Sequence, residues 1–271
     1  MKIQWKITLG VFVLFFAAFV QYLIMRGKNQ QEPIVESNGT LASTTVPEVS
    51  INDPSGGGYK VQSIPLPQVV SVPQAPNLDA LVAGIVAKND YEKLILSNLT
   101  NAQDSLKNNP TNYDAWLTAG MSLKQLERYE ASRDAFLYVA TLWPTQPVPQ
   151  GNLGSLYHLY LKDFTKSETA YKKAIALDPT QPGWHRGLYE LYRYSYKLGT
   201  NAWEDALKQG ILETGSIDLM AVLAGRYADL KRFEESVAQY DRAIAEAERQ
   251  GNAKLVDMFI GYRAEARAQM K

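Results

Sequence analysis

The chain has no cysteine among its 271 residues. That excludes disulfides, thiolate metal sites, a cysteine nucleophile and a lipidated cysteine within this sequence. Histidine is nearly as scarce: His158 and His185 are the two present, and neither belongs to an H-E-x-x-H pair. No G-x-S-x-G or G-x-x-x-x-G-K-[ST] segment occurs, and Gly56-Gly57-Gly58 precedes no helical pattern that would make it a phosphate loop. Acidic residues are spread at helix-surface spacing rather than clustered. The expectation is a protein that is not an enzyme, with no cofactor, no metal site and no small-molecule substrate.

An excess of charge of either sign is also missing, since lysine plus arginine balance aspartate plus glutamate. The balance hides a division along the chain. Residues 1–28 carry Lys2, Lys6, Arg26 and Lys28 and no acid, whereas residues 29–76 set Lys60 against Glu32, Glu36, Glu48 and Asp53. The remainder is left with one net negative charge. A near-neutral domain lacks the electrostatic footprint of a nucleic-acid binder, so nucleic acid is not an expected partner.

The one long hydrophobic run is Ile7 to Met25, interrupted by Thr8, Gly10 and Gln21. At ~1.5 Å rise per residue a helix of that length spans about 28 Å, close to the ~30 Å of a bilayer core. A cleaved signal peptide is the competing reading, but its apolar region is usually ~7–15 residues and ends at a small-x-small site. Phe16, Phe19 and Tyr22 break up the small residues here, so residues 1–28 are expected to form a retained transmembrane anchor with basic flanks. The positive charges before the span favour a cytoplasmic N-terminus, which puts the C-terminal domain on the non-cytoplasmic side of a cell membrane. Residues 29–76 hold seven of the 13 prolines, with Gly56-Gly57-Gly58 and many Ser, Thr and Gln. Such a composition buries too little apolar surface to offset its ordering entropy, and predicts a disordered linker with a reach of roughly 35–40 Å. Within it, Val61 to Val72 reads either as passive linker or as a short docking motif.

Beyond residue 76 the pattern becomes helical and periodic. Asn108-Asn109-Pro110, Leu142-Trp143-Pro144 and Leu177-Asp178-Pro179 each close an apolar helical pattern, at spacings of 34 and 35 residues. A fixed period of that size marks a stack of units, each too small to bury its apolar face alone. The first unit carries Trp116, Gly120, Leu123, Leu126, Tyr129, Ser132, Phe136 and Pro144. The second has Leu153-Gly154, Tyr157, Phe164, Ser167, Tyr171, Ala174 and Pro179, with one extra residue expected between its two helices. The third is irregular: Trp184, Gly187, Leu188 and Leu191, a longer turn through Gly199-Thr200-Asn201, then Ala206 and Gly210. The fourth has Met220, Leu223-Ala224, Tyr227, Phe233, Ser236, Tyr240 and Ala243.

These units resemble the tetratricopeptide repeat (TPR), with its W-x2-L-G-x2-Y, A-x3-F and P positions. Ala119, Leu123 and Ser132 depart from that pattern. The resemblance implies an all-α, TPR-type solenoid of helical hairpins with repeats at about 112–145, 146–180, 181–215 and 216–250. Capping helices are expected at about 77–109 and 252–271, completing a solenoid over 77–271 behind the anchor and linker. Asn77 is expected to cap the first helix, and Tyr91, Leu94, Ile95, Leu99, Ala102 and Leu106 to form the apolar stripe of the second. Leu255, Phe259, Tyr262 and Ala266 should face inward from the last.

In this family the first helix of each unit lines a concave groove. The resemblance therefore implies ligand-facing positions at Thr118, Met121, Lys124 and Gln125, then Asn152, Ser155 and His158, then His185, Arg186, Tyr189, Tyr192 and Arg193. Some family members grip a peptide's terminal carboxylate there, but Thr118 and Pro182 stand where asparagine and lysine are expected. Tyr189, Tyr192 and Tyr196 share a helical face, and read either as core filling or as a ligand shelf. The implied function is a membrane-anchored scaffold for a protein or peptide partner in assembly or quality control at a cell envelope. Recognition of an envelope glycan or peptide through the tyrosines is the alternative.

Overall fold

The computed structural model describes residues 74–270. The apolar run Ile7–Met25, and residues 29–76 apart from the last three, lie outside the described residues. Among the described residues there are eleven α-helices and no strands, and no helix is long and apolar enough to cross a membrane.

Two helices precede the hairpins. Helix α1 (Leu78–Ala83) starts where the Asn77 side chain accepts from the Ala80 N–H, and α2 (Asp90–Asn108) where Asn89 accepts from Glu92 N–H at 2.8 Å. Ile95, Leu99, Ala102 and Leu106 of α2 are buried, one stripe at helical spacing. The expected stripe was too wide. Leu94 is turned about 100° off that line and Tyr91 sits in the first turn, and both are exposed.

Four helical hairpins follow: α3 (Tyr113–Gln125) with α4 (Tyr129–Leu142), α5 (Pro147–Leu156) with α6 (Phe164–Leu177), α7 (Pro182–Tyr194) with α8 (Ala202–Thr214), and α9 (Ile217–Asp229) with α10 (Phe233–Arg249). Asn112, Gln181 and Ser216 cap the first helices of three of these pairs with their side chains, while α5 starts on Pro147, which has no N–H to satisfy. Helix α11 (Ala253–Ala268) closes the stack. Phe259 and Ala266 face inward, but Tyr262 is half in solvent and Met258 and Ile260 are exposed beside it. The expected apolar-in, charged-out cap is corrected there: α11 carries apolar residues on its outer side as well.

Each hairpin turns through a residue in the left-handed region: Glu127 (φ 60°), Lys162 (56°), Lys197 (56°) and Lys231 (58°). The turns after α3 and α9 close the same way, with Arg128 N–H donating to Leu123 O and Arg232 N–H to Tyr227 O, each at 2.8 Å. This is the helix-ending bond usually made around glycine. The extra residue of the second unit is not in its turn. It is taken up inside the helix, where α5 continues as a π-helical turn over Tyr157–Leu161 and the Asp163 N–H reaches back to Tyr157 O at 3.0 Å.

The buried apolar side chains form two clusters. One runs from Leu78 to Trp184 and is centred on Leu99, Trp116, Phe136 and Leu156; the other runs from Tyr171 to Phe259 and is centred on Leu191, Leu207, Leu219 and Leu223. They meet where α6 packs on α7.

Candidate functional site

Large side chains on one helix set against small ones on the next fix how closely the helices approach. A Cβ on Gly120 would lie 2.6 Å from the Phe136 ring, one on Gly154 2.7 Å from Tyr171, and one on Gly187 2.4 Å from the same tyrosine. Tyr171 of α6 is thus wedged between α5 and α7. Ser132 and Ser167, at the repeat's small position, donate their hydroxyls to Gly120 O (2.7 Å) and Gly154 O (2.8 Å). A serine there pins the two helices of its pair together where alanine would only fill space.

The third pair sits one residue out of the expected register. Trp116 Nε1 donates to Pro110 O at 2.8 Å, and the same place in α7 is held by His185, whose Nε2 lies 2.9 Å from Pro179 O. Trp184 instead lies over Gly151 of α5, whose added Cβ would be 2.1 Å from the indole. The sizes are exchanged as well. Tyr189 stands at the small position, its ring centroid 6.4 Å from that of Trp203, and Gly210 stands where the other pairs have an aromatic. That exchange makes the third unit look irregular in sequence.

This packing decides which residues the first helices leave partly exposed. On α3 they include Thr118, Met121, Lys124 and Gln125; on α5, Asn152 and Ser155; on α7, Arg186, Glu190 and Arg193; on α9, Val222 and Arg226. Trp184 on Gly151 joins α5 to α7, and Arg186 Nη1 bonds Asp218 of α9 at 2.5 Å, so α5, α7 and α9 lie side by side.

Four of the expected ligand-facing residues are not among these. His158, His185, Tyr189 and Tyr192 are buried. His158 Nε2 lies 2.9 Å from Ser195 Oγ, and burial, with Lys162 nearby, pushes its pKa down. His185 fills the core at 1% exposure, with Glu213 3.1 Å from its Nε2. Tyr189 and Tyr192 fill the second apolar cluster, which corrects the tyrosine-shelf reading. Asn152 bonds back to Val148 O in its own helix, and Arg186 also reaches Glu190 at 3.1 Å. Lys124 is recessed enough that burial lowers its pKa.

Two polar constellations were not anticipated. The Glu168 carboxylate on α6 accepts from Tyr192 OH (2.6 Å) and from Lys197 Nζ (2.7 Å), and Lys172 Nζ is 2.6 Å away. One repeat on, Glu204 of α8 accepts from Tyr227 OH (2.9 Å) and Arg232 Nη1 (2.6 Å), with Lys208 Nζ at 2.7 Å. Both glutamates are under a tenth exposed. Burial alone would raise the Glu168 carboxyl, but the bonds from Lys172, Lys197 and Tyr192 outweigh it and hold it at about 2. The bonds from Arg232, then Lys208 and Tyr227, hold Glu204 at about 2 against burial. Each group clasps one hairpin to the next. At the preceding junction Arg133 stands at the corresponding position and pairs with Asp134 of its own helix at 2.8 Å. The sequence did contain a signal: Glu168 and Glu204, and Lys172 and Lys208, are both 36 residues apart.

The family model described as tetratricopeptide repeat matches residues 150–181, from within α5 through α6. No curated protein matches the sequence. Similar solved structures include MamA (17% identity, 56% of this chain and 88% of that one, TM-score 0.46). A thermophilic TPR protein of Thermus thermophilus is 18% identical over 63% of this chain and 89% of its own, with TM-score 0.44. MamA from Desulfovibrio magneticus is 13% identical over 65% and 98%, with TM-score 0.45. The chain therefore carries a tetratricopeptide repeat at residues 150–181, set within a TPR-like solenoid of helical hairpins.

Proposed function

We propose that this chain is a non-catalytic scaffold for protein–protein contacts, with the exposed sides of α3, α5, α7 and α9 as its working surface. The observation that carries the reading is that surface: partly exposed polar and basic side chains from successive first helices, with Thr118, Lys124, Gln125, Ser155, Arg186 and Arg193 among them. A surface assembled from many repeats suits an extended partner rather than a compact substrate. The glycan reading loses its support, because the rings it needs are buried and Tyr192 is hydrogen-bonded to Glu168.

The scaffold is further proposed to be tethered to a cell membrane by residues 7–25, through the linker over 29–76, with the helical domain on the non-cytoplasmic side. The apolar length and the basic flanks support this part. A C-terminal alkaline phosphatase fusion should be active, and activity confined to a cytoplasmic reporter would reverse the orientation. For the scaffold itself the test is in-cell crosslinking of the full chain with mass spectrometry. One defined protein crosslinked to the first helices is the expected result. Crosslinks confined to residues 61–72 would move binding to the linker and leave the solenoid a spacer.

A further inference from the structure

The depression between α2 and α3, about 310 Å³, is lined by Asn98, Asn101, Ser105 and Asp114 among others. Asp114 has no ion-pair or hydrogen-bond partner among the described residues, but it is exposed, so water rather than a ligand satisfies it. The last helix leaves more unsatisfied.

Helix α11 is built as the first helix of a hairpin. Its N-cap Asn252 corresponds to Asn112, Gln146, Gln181 and Ser216, the N-caps of the four first helices. Eight residues beyond those four caps stand Gly120, Gly154, Tyr189 and Ala224, all buried. The first three of these meet an aromatic ring from the second helix of their own pair: Phe136, Tyr171 and Trp203. The same position in α11 is Ile260, which is 41% exposed, and no second helix follows among the described residues. The side of α11 that packs is the one toward α10. There the Phe259 ring centroid lies 6.2 Å from that of Tyr240, and Arg263 pairs with Asp241. Ile260 is turned about 100° away from Phe259.

The open side has the spacing of a helix–helix seam. Ala253, Asp257, Ile260, Ala264 and Arg267 follow one another at alternating steps of four and three residues, and all are exposed. Bulky Ile260 sits one turn from small Ala264, so a helix laid on this seam must offer a small residue to the first and a bulky one to the second. Another α11 does both when it runs antiparallel. Ile260 then meets Ala264 of the second copy, and twofold symmetry repeats the contact with the roles exchanged. Three residues further out on each side, the same register sets Asp257 opposite Arg267. Both are open to it: Asp257 has no ion pair among the described residues, and Arg267 makes a 3.7 Å contact with Asp241. A parallel pair would instead set Asp257 against Asp257 and Ile260 against Ile260.

We propose that the open side of α11 binds a second copy of this chain, as an antiparallel α11–α11 pair with its twofold axis midway between Ile260 and Ala264. Each copy supplies the other with the second helix that its last hairpin lacks. The exposed sides of α3, α5, α7 and α9 take no part, so this goes beyond the scaffold reading and either can fail without the other. One helix per copy is a small contact, which predicts a weak, reversible dimer that fills over roughly 10–100 μM chain.

The test is sedimentation equilibrium of the full chain in a density-matched non-ionic detergent. Asp257→Arg places like charges together twice across the axis and should weaken the dimer by roughly tenfold. Adding Arg267→Asp to the same chain restores both pairs and should recover most of that loss. Ile260→Asp should weaken dimerisation by more than tenfold, roughly, because it sets a carboxylate in the centre of the contact. Glu265→Lys makes the same change in net charge away from the seam and should leave the dimer as it is. Circular dichroism should be the same for all the variants. A chain that stays monomeric throughout that range overturns the proposal. So does a dimer that neither Asp257→Arg nor Ile260→Asp weakens, since it is then held elsewhere, and so does a double variant no better than Asp257→Arg alone.

Discussion

Trp116 illustrates how much a single residue's place in the sequence reveals. Its spacing from Gly120 and Phe136 marks it as a knob, and it is 3% exposed with its indole N–H satisfied. Trp116→Ala should cost roughly 3–5 kcal/mol in urea unfolding, and a change near zero would mean the first hairpin is in the wrong register. Trp184 shows the limit of that reading. A second tryptophan at a similar spacing looks like the same knob, yet His185 takes the equivalent place, because a buried histidine and a surface one are the same letter. Glu168 and Glu204 were harder still. A carboxylate on a helix looks solvated until the next hairpin brings tyrosine and lysine or arginine to it. Both carboxyl groups are held at about 2 against an ordinary 4.5, so their stabilisation is present above pH 4.5 and is lost as the pH falls toward 2. Glu204→Gln should cost roughly 1.5–3 kcal/mol at neutral pH. The variant with both glutamates changed to glutamine should show a shallower loss of stability between pH 4.5 and 2 than the native chain; an identical acid profile would sink the assignment.

At the level of the element, the helices follow from proline positions and apolar spacing, whereas the turns and the bulge do not. The left-handed residues are glutamate and lysine, and neither advertises that conformation as glycine or asparagine does. A side chain in that region is strained, and Lys231 is exposed with no ion pair among the described residues. Lys231→Gly is therefore expected to raise stability by about 0.5–1 kcal/mol, read as a shift in the urea midpoint, and a lowered midpoint would refute the strain. The reverse holds where glycine admits a neighbour. Gly151→Ala puts a methyl into the Trp184 ring and should cost roughly 1–3 kcal/mol, with Trp184 fluorescence altered; Gly261→Ala, with open space around it, should not. The π-helical turn in α5 was beyond sequence reasoning, since an added residue in a loop and one in a helix leave the same count between prolines.

Over the whole molecule, a fragment beginning at Asn77 is expected to be almost wholly helical and to fold without what precedes it. The two apolar clusters meet at α6–α7, and much of what crosses there is polar or aromatic: the Glu168 clasp and the wedge of Tyr171 between Gly154 and Gly187. In a stack whose stability is summed from neighbouring interfaces, a seam at which the buried apolar side chains fall into two clusters is where cooperativity is expected to divide. Heating at neutral pH should give one transition, and at a pH between 2 and 4.5 two, with α1–α5 and α7–α11 losing hydrogen-exchange protection at different temperatures. A single transition throughout would show the seam to be as strong as the rest. The same seam has a mechanical meaning. Pulled from its two ends, such a stack behaves as springs in series, and the compliance of the series is set by its softest joint. Tension carried through a partner would bend this chain at α6–α7 before it uncoiled either half, turning an even solenoid into two stiff arms about one elbow.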